Sequence, residues 1–513
     1  MDLLRILWPS KKISRLFALI SLLVTLVLSW PIVRYPSNPF YSVDPDVPYL
    51  TNSLELIVTG RVSFINHPGT PLQSSTAFSF WPMRIWAKLI DRTPFVEWSL
   101  KNFTLVAWYA RFFMAVIFTV SIYLLLSAWY SLSGSPLPAI IGLLSLGLFE
   151  FSAHLPFSIR AEGMILLLFS IWVTLLALLL KSNKTSVLLP ISFITGLLMA
   201  TKYTTVFLIP ITLLIAIFQT YTTRKNHNKS AFIIMITILA LLFGFVFGTW
   251  PIRDKYPRLI NWGATLLLHP EPYGGGEKKL FDIKTYTKST KILVKSNKFP
   301  YLLMSTSIIL LILHKQKNKV LFICMAVVAT VGILVFFKYP MDYYQIANYL
   351  ILITLLTVSF STLSPRILTV VCASILLSIS INLPTRLKNT RKQVIETVNL
   401  ENFILDHPPR KTILWEYGRS KDFSLLWGRV WAGGFYTQQM AKLFPYLYDV
   451  HDHKTVSGHY GEDIPIEKFC WANLYIQRVS YPSFILYNPQ YSNTSHLAIP
   501  GTEMIFLERP ECF

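Results

Sequence analysis

The chain has 513 residues, of which 53% are hydrophobic and only 14% charged, and its net charge is +21. A soluble domain usually has about a quarter charged residues, so the composition excludes a purely soluble fold. The basic residues cluster in short connectors between apolar runs, which is the positive-inside pattern of membrane proteins. We therefore predict a polytopic α-helical membrane protein that contacts membrane lipid and binds no nucleic acid.

The first apolar run, 16–30, follows an N-terminus with four Lys and Arg residues in positions 1–15. The bulky segment 31–35 contains no small-residue cleavage site, so we predict an uncleaved first helix with a cytoplasmic N-terminus. A spanning helix needs about 20 residues, and ten later runs approach that length. The sequence therefore predicts about eleven transmembrane helices, the later ten at 105–126, 139–154, 161–180, 187–201, 205–219, 231–250, 301–313, 320–337, 343–359 and 367–381.

Alternate threading of these spans places the most basic short connectors in the cytoplasm, as the positive-inside rule requires. Two long loops, 35–102 and 251–300, then lie outside the cytoplasm. The predicted transmembrane domain covers 1–383, and a small mixed α/β domain at 384–513 follows it on the extracytoplasmic side. In a bacterium the chain would be a multi-pass protein of the inner or plasma membrane.

The C-terminal segment has strand-like and helix-like stretches in alternation. We predict strands at 412–415, 483–487 and 504–507, and a helix at 438–447. Cys470 and Cys512 both lie in this segment, where an oxidising compartment favours a structural disulfide between them.

The first outside loop carries two carboxylates, Asp44 and Asp46, soon after the first helix. Pro45 and Pro48 disfavour helix at the residues before them, so we expect a turn there, and a helix at 51–59 along the membrane surface. An aspartate near the interface can act as general base toward an incoming hydroxyl or amine. The alternative is that Asp44 is a turn or cap residue and Asp46 is solvated.

Four cations fall near the same predicted membrane face: Arg111, Arg160, Lys202 and Lys338. Burying an arginine at the bilayer centre costs about 2.5–3.5 kcal/mol on insertion scales. Singly, each of the four is typical of an interfacial anchor. Together they suit an anionic head group such as a lipid phosphate.

Other polar and aromatic residues stand in the second loop and at a later span. His269 and Tyr273 precede three glycines at 274–276, and Asp342 and Tyr344 begin the run at 343–359. The aromatic rings suit stacking on a sugar, although an aromatic belt at the membrane interface is the simpler alternative. The sequence contains no zinc-type ligand spacing, Walker loop or nucleophile elbow, so we expect neither a metal nor a nucleotide.

In their order along the chain, these motifs resemble those of the polytopic GT-C glycosyltransferases. The resemblance is to the protein O-mannosyltransferases and the bacterial aminoarabinose transferases of lipid A, and it covers most of 1–383. The elements that carry it are Asp44-Pro-Asp46-Val-Pro-Tyr49, His67-Pro68, Arg111, the hairpin at 196–203, His269 with Tyr273 and Gly274, and the Tyr-Tyr pair at 343–344.

The resemblance implies inverting transfer of a sugar from a polyprenyl phosphate to a glycan, lipid or protein acceptor outside the cytoplasm. The lipid-linked sugar is then the donor substrate, and no further cofactor is implied with certainty. The family has an Asp-Glu pair where this chain has Asp44-Pro-Asp46, so either aspartate can be the base. We predict a donor-phosphate role for Arg111, Arg160, Lys202 and Lys338, and a substrate-binding role for Tyr49, His67, His269, Tyr273, Asp342 and Tyr344.

Three other functions fit part of the sequence. A lipid-linked glycan flippase or transporter would share the basic face, but it would be expected to show internal symmetry and polar residues along several spans. A surface-polysaccharide ligase or polymerase would place its arginines and histidine in a large late loop, whereas here the acids stand in the first loop. A non-catalytic assembly factor is the third alternative.

Overall fold

A computed structural model describes residues 6, 9–33, 39–42, 45–65, 69–223, 227–269, 282–313, 318–336, 341–407, 412–451, 455–457, 462–469, 472–488 and 496–508. The α-helices within these ranges are α1 (Lys11–Val33), α2 (Asp46–Thr59), α3 (Thr70–Ser79), α4 (Trp81–Leu89), α5 (Phe95–Lys101), α6 (Phe103–Ser133), α7 (Pro136–Gly147), α8 (Ala161–Ser182), α9 (Leu188–Thr201), α10 (Leu208–Thr223), α11 (His227–Thr249), α12 (Tyr256–Leu268), α13 (Ile283–Ser296), α14 (Lys298–Leu313), α15 (Lys319–Phe336), α16 (Ile346–Phe360), α17 (Pro365–Asp406), α18 (Lys421–Trp431), α19 (Gly434–Leu443) and α20 (Tyr481–Tyr487). The strands are β1 (Thr412–Trp415), β2 (Leu447–His451), β3 (Thr455–Ser457), β4 (Asp463–Pro465), β5 (Ala472–Gln477), β6 (His496–Ala498) and β7 (Met504–Glu508).

Each predicted apolar run forms a helix, but the helices differ in length. Among the described residues, seven segments are long and apolar enough to cross a membrane, and α13 with α14, which meet at a 91° bend, would make an eighth. The helices α7, α9 and α16 are apolar but shorter. The chain is therefore a helical membrane protein with a small C-terminal sheet, and the predicted number of eleven spans is not confirmed.

Residue contacts divide the chain into two compact units. The first unit comprises Met1–Leu28, Ile65–Leu72 and Met114–Arg386. The second comprises Ser29–Phe64, Gln73–Phe113 and Leu387–Phe513. The second unit thus combines most of the predicted first outside loop with the C-terminal segment, which begins within the uninterrupted helix α17.

The short helix α16 is the most buried helix of the first unit. All of its 15 residues are buried, and it packs against α7, α8, α14 and α15. Its length of roughly 22 Å, at about 1.5 Å per residue, is less than the hydrocarbon core of a bilayer. Because its neighbours cover it, α16 does not need an apolar surface that reaches from one interface to the other. The buried indole of Trp129 donates a hydrogen bond to the Thr354 hydroxyl of α16 at 3.0 Å.

The crossing of α9 and α11 requires glycine. A Cβ atom at Gly196 would lie 2.1 Å from the carbonyl oxygen of Leu241, and one at Gly244 would lie 2.1 Å from the carbonyl oxygen of Phe193. Gly244 and Gly248 are four residues apart, the spacing that lets membrane helices approach backbone to backbone. The hairpin at 196–203 therefore has a packing role, whatever else it does.

The second unit contains a seven-stranded sheet in the order β4-β3-β2-β1-β5-β7-β6. β1 is parallel to both β2 and β5, and the remaining pairs are antiparallel. The predicted strands at 412–415 and 504–507 are confirmed as β1 and β7. The buried ring of Trp415 stacks on Tyr475 across the two central strands, with 4.2 Å between ring centroids.

One prediction for this unit is wrong and a second is wrong in part. The strand predicted at 483–487 is the helix α20, which has Pro482 in its first turn, where the missing N–H costs nothing. The helix predicted at 438–447 ends at Leu443 as part of α19, and Leu447 begins β2. Both segments are rich in aromatic and aliphatic residues, so their short apolar runs fit either structure.

The turn predicted around Asp46 and Pro48 is also wrong. α2 begins at Asp46, and Pro48 lies in its first turn, where no helical partner for an N–H is required. Residues 46–55 are all buried, so this helix lies inside protein and not along a lipid surface. The helix packs against α18, where a Cβ at Gly428 would lie 2.4 Å from the Thr51 methyl group.

Candidate active site

Asp46 and Arg111 form a buried ion pair in the second unit. Nη1 of Arg111 lies 2.7 Å from Oδ2 of Asp46, and the two side chains are 2% and 1% exposed. Arg111 stands about two turns into α6, and Asp46 is the first residue of α2. The structure thus brings together two residues that the sequence analysis chose separately.

Further contacts of Arg111 fix the chain just before α2. Its Nε donates to the carbonyl oxygen of Pro39 at 2.7 Å, and Nη2 donates to that of Ser42 at 3.3 Å. Nη1 also donates to the hydroxyl of Tyr41 at 3.1 Å, and the guanidinium lies 4.5 Å from the centre of that ring. A planar guanidinium with several donors suits such a site, whereas a lysine ammonium does not. Arg111 therefore holds the acidic loop against the start of α6.

The helix α2, which begins at Asp46, is itself held in place by two of its polar side chains. The Asn52 side chain donates to the carbonyl oxygen of Trp431 at 3.1 Å and accepts from the N–H groups of Ser63 and Phe64 at 2.9 and 2.8 Å. Glu55 accepts from the Ser63 hydroxyl at 2.8 Å. The carboxylate of Asp46 consequently sits on a helix that is anchored at both ends.

A second buried ion pair joins Lys202 to Glu162 in the first unit. The two side chains are 3% and 9% exposed. The Lys202 ammonium also lies 4.7 Å from the ring centres of Tyr343 and of Tyr344. Arg160 precedes Glu162 by two residues. We call these five residues the Lys202 cluster.

The Lys202 cluster holds two cations and one carboxylate, so its formal charge is +1. Burial lowers the pKa of the Lys202 ammonium, Glu162 opposes this effect, and the charge of Arg160 adds to it. Arg160 is partly exposed at the start of α8, two residues before Glu162. A lysine that stands near a second cation and faces two aromatic rings is suited to an anion such as a phosphate.

The turn Asp342–Tyr344 supplies the aromatic side of this cluster. Asp342 accepts a hydrogen bond from the Asn297 amide at 2.8 Å. Tyr344 is buried, and its ring lies 4.7 Å from that of Tyr343. The predicted residues Asp342, Tyr344 and Lys202 are thus parts of one local structure.

The remaining predicted residues divide into two groups. Tyr49 is buried in α2 and packs edge to face on Phe64, with 5.5 Å between ring centroids, as a core residue does. His269 follows the last turn of α12, at the end of a helix inside the predicted second loop. The other predicted residues lie outside the described part of the chain: Asp44, His67, Tyr273, Lys338, Cys470 and Cys512.

Sequence analysis missed Glu162 and Tyr41. Glu162 had a signal, because an acidic residue at the start of a long apolar run needs a buried counter-charge. Tyr41 had only its closeness to the two aspartates. Arg111 also binds the backbone carbonyls of Pro39 and Ser42, and contacts to backbone groups cannot be predicted from the identity of a side chain.

An apolar cavity of about 220 Å³ lies in the first unit, among α1, α6, α7 and α17. Arg386 is at its edge and donates to the carbonyl oxygens of Gly147, Leu148 and Phe149 at 3.1, 2.7 and 3.0 Å. These hydrogen bonds satisfy carbonyl groups at the end of α7, which lack partners within the helix. The apolar lining includes Leu23, Val27, Phe118, Ile122, Leu143 and Ile379.

Within the described ranges, no group of three or more His, Cys, Asp or Glu residues could hold a metal ion. Comparison with known proteins adds no relative: the sequence matches no family model, and a search of curated proteins gives no significant match. The function must therefore be inferred from these residues and their chemistry.

Proposed function

We propose that the chain is an inverting glycosyltransferase that moves a sugar from a polyprenyl-phosphate donor to an acceptor on the extracytoplasmic face of the membrane. The observation that carries the proposal is the Lys202 cluster, in which a buried ammonium faces one carboxylate and two tyrosine rings. Hydrogen bonds between charged partners are about twice as strong as neutral ones, so such a cluster favours a phosphate over a neutral ligand.

We assign the acid–base role to Asp44 and a positioning role to Asp46. Asp46 is 1% exposed and accepts a hydrogen bond from Arg111, an arrangement that favours holding the loop over collecting a proton from an acceptor. Asp44 stands two residues earlier in the same loop. An error of about 1 Å in the position of a catalytic group can cost about 10²-fold in rate, so anchoring this loop matters.

The proposed step is a direct displacement. Asp44 takes the proton of an acceptor hydroxyl or amine as the acceptor atom bonds to the anomeric carbon. The bond from that carbon to the phosphate oxygen breaks, and its electron pair leaves on the polyprenyl phosphate. Lys202 and Arg160, with Lys338 as a third predicted cation, stabilise the charge that develops on this leaving group.

The apolar cavity supports a lipid-linked donor. Its lining is almost wholly aliphatic and aromatic, and Arg386 is its one charged lining residue. Each buried methylene contributes about 0.8 kcal/mol, so even a few isoprene carbons in this cavity would add to donor affinity. The proposal includes a cytoplasmic N-terminus and an extracytoplasmic C-terminal segment, which reporter fusions at each terminus would test.

The direct experiment incubates purified protein with a panel of polyprenyl-phosphate sugars and acceptors and measures the release of free polyprenyl phosphate. We expect release with at least one donor, and a loss of about 10²–10⁴-fold in Asp44→Asn. Asp254→Asn removes an exposed carboxylate from the first unit and should keep the full rate. Failure of every donor to react, or full activity of Asp44→Asn, would overturn the proposal.

A further inference from the structure

The sheet of the second unit has a point where its strand order reverses. From β1 the chain crosses through α18 and α19 to β2 on one side, and β5 later joins β1 on the other side. All three strands are parallel, so the carboxyl ends of β1 and β5 lie side by side with connections that lead in opposite directions. Open α/β sheets bind ligands in the crevice outside this point.

A crevice of about 80 Å³ lies at this position. Residues directly after β1, namely Tyr417, Gly418 and Arg419, form one wall, and Gln477 at the end of β5 contributes to the other. The opposite side comes from Glu396 and Leu400 of α17, from Thr502 and Glu503 just before β7, and from Met504, the first residue of β7.

Gly418 allows the loop after β1 to take this course. A Cβ atom there would lie 2.6 Å from the ring of Trp415, which stacks within the sheet. The carboxylate of Glu416 accepts the N–H of Gln477 at 3.3 Å and ties the ends of the two strands together. The loop that forms the crevice therefore packs closely on the sheet and is tied to β5 by a hydrogen bond.

The polar groups of the crevice carry both signs of charge. Arg419 pairs with Glu396 at 3.3 Å, and Lys392 lies 3.2 Å from Glu503 and 3.5 Å from Glu396. The ring of Tyr417 is 37% exposed beside these groups. Donors and acceptors therefore surround an accessible aromatic ring.

These features discriminate among ligand classes. The carboxylates of Glu396 and Glu503 are balanced by Arg419 and Lys392, so the charges sum to zero and a phosphate would gain no net attraction. Only Leu400 and Met504 are aliphatic, so a lipid chain would find few partners. A neutral ring with several hydroxyl groups can both donate and accept here, and its C–H face can pack on Tyr417.

We propose that this crevice is a carbohydrate-binding site that takes one sugar ring of a glycan. A buried water needs about 10–15 Å³ on the same measure, so the space equals roughly five to eight waters and suits a single ring better than a longer oligosaccharide. The crevice contains none of the residues to which we assign sugar transfer, and the proposal does not depend on that activity.

Isothermal titration calorimetry of the full-length protein in lipid nanodiscs tests this site, with methyl glycosides of glucose, galactose and mannose as probes. We expect at least one to bind with a Kd below about 10 mM. Tyr417→Ala should weaken that binding about tenfold, whereas Tyr417→Phe should retain most of it because the ring is kept. Glu396→Gln should also weaken it.

Tyr446→Ala is the matched control, since Tyr446 is also 37% exposed in the second unit but is not part of the crevice. It should leave the Kd unchanged. Thermal unfolding of each variant shows whether the unit remains folded. Absence of binding by all three glycosides, or equal binding by Tyr417→Ala and Tyr446→Ala, would overturn the proposal, whereas loss of donor consumption would bear only on the transferase.

Discussion

Two buried ion pairs, Arg111–Asp46 in the second unit and Lys202–Glu162 in the first, differ in what surrounds the cation. Arg111 makes hydrogen bonds to a carboxylate, a hydroxyl and two backbone carbonyls, and it lies over the Tyr41 ring. Lys202 has one carboxylate, two tyrosine rings and the repulsive charge of Arg160 nearby. The first cation meets mainly acceptors, whereas the second meets one carboxylate, two aromatic rings and the charge of a second cation.

The contrast indicates two different roles. A charge that meets several fixed acceptors organises the backbone that supplies those acceptors. A charge that shares its carboxylate with a second cation can be stabilised further by an added anion. We therefore expect the Arg111 pair to control stability and the placement of Asp44, and the Lys202 cluster to control the binding of the donor phosphate.

The largest expected effect is on stability. Arg111→Met removes the cation and leaves Asp46 buried without it, which typically costs about 3–5 kcal/mol of unfolding free energy. Chemical denaturation in detergent would measure this cost. The double variant Arg111→Met/Asp46→Asn should regain the part of the lost unfolding free energy that comes from the unpaired charge of Asp46.

Arg84→Met is the control for that measurement, because Arg84 is an exposed arginine of the same unit. Its effect should be within about 0.5 kcal/mol. An Arg111→Met protein as stable as Arg84→Met would show that the pair does not organise the loop.

The second effect separates the two pairs by kinetics. Lys202→Met/Glu162→Gln neutralises the Lys202–Glu162 pair without leaving a lone buried charge, so the protein should fold. We expect KM for the polyprenyl-phosphate donor to rise about tenfold or more, because a hydrogen bond to a charged group contributes about 1.5–3 kcal/mol.

Arg111→Met/Asp46→Asn should show the opposite pattern in the same assay, with a lower kcat and a donor KM close to that of the wild type. Steady-state rates over a range of donor concentrations would give both constants for each double variant. The same change in KM for both would remove the distinction between the pairs.

The smallest expected effect concerns Arg160. Its side chain is partly exposed, so water and salt screen its charge and its contribution should be about 0.2–1 kcal/mol. Arg160→Gln should raise the donor KM by a factor of about two to five, and the increase should shrink as ionic strength rises. A rise in donor KM equal to that of the Lys202 double variant would contradict the expectation that exposure weakens the contribution of Arg160.

The sequence allowed three of the four charged residues in these pairs to be singled out, namely Arg111, Asp46 and Lys202, but not Glu162. Arg111 and Lys202 are conspicuous because a cation in or beside an apolar run is costly. Asp46 was one of two aspartates that the pattern left equal, and only the structure shows its contact with Arg111. Glu162 went unnoticed because it adjoins Arg160, which looks like an adequate local partner for it.

In the fold, too, local patterns predicted some features, whereas others depend on packing between distant segments. Hydropathy located every apolar helix, but the number of spans depends on length, and burial among neighbours allows α16 to be short. β1 and β7 were predicted from their β-branched and aromatic content, whereas α20 and the start of α2 were misassigned because proline suits both turns and first helical turns. The packing of α2 on α18 joins segments about 370 residues apart, which local patterns cannot indicate.

The most direct measurement is equilibrium binding of a polyprenyl phosphate, without sugar, to the purified protein and its variants. The wild type and Asp44→Asn should bind it with equal affinity, because we assign Asp44 to the acceptor and not to the donor phosphate. Lys202→Met/Glu162→Gln should bind about tenfold or more weakly while it unfolds at a temperature close to that of the wild type. Equal affinity of the wild type and this double variant would contradict the assignment of the donor phosphate to the Lys202 cluster.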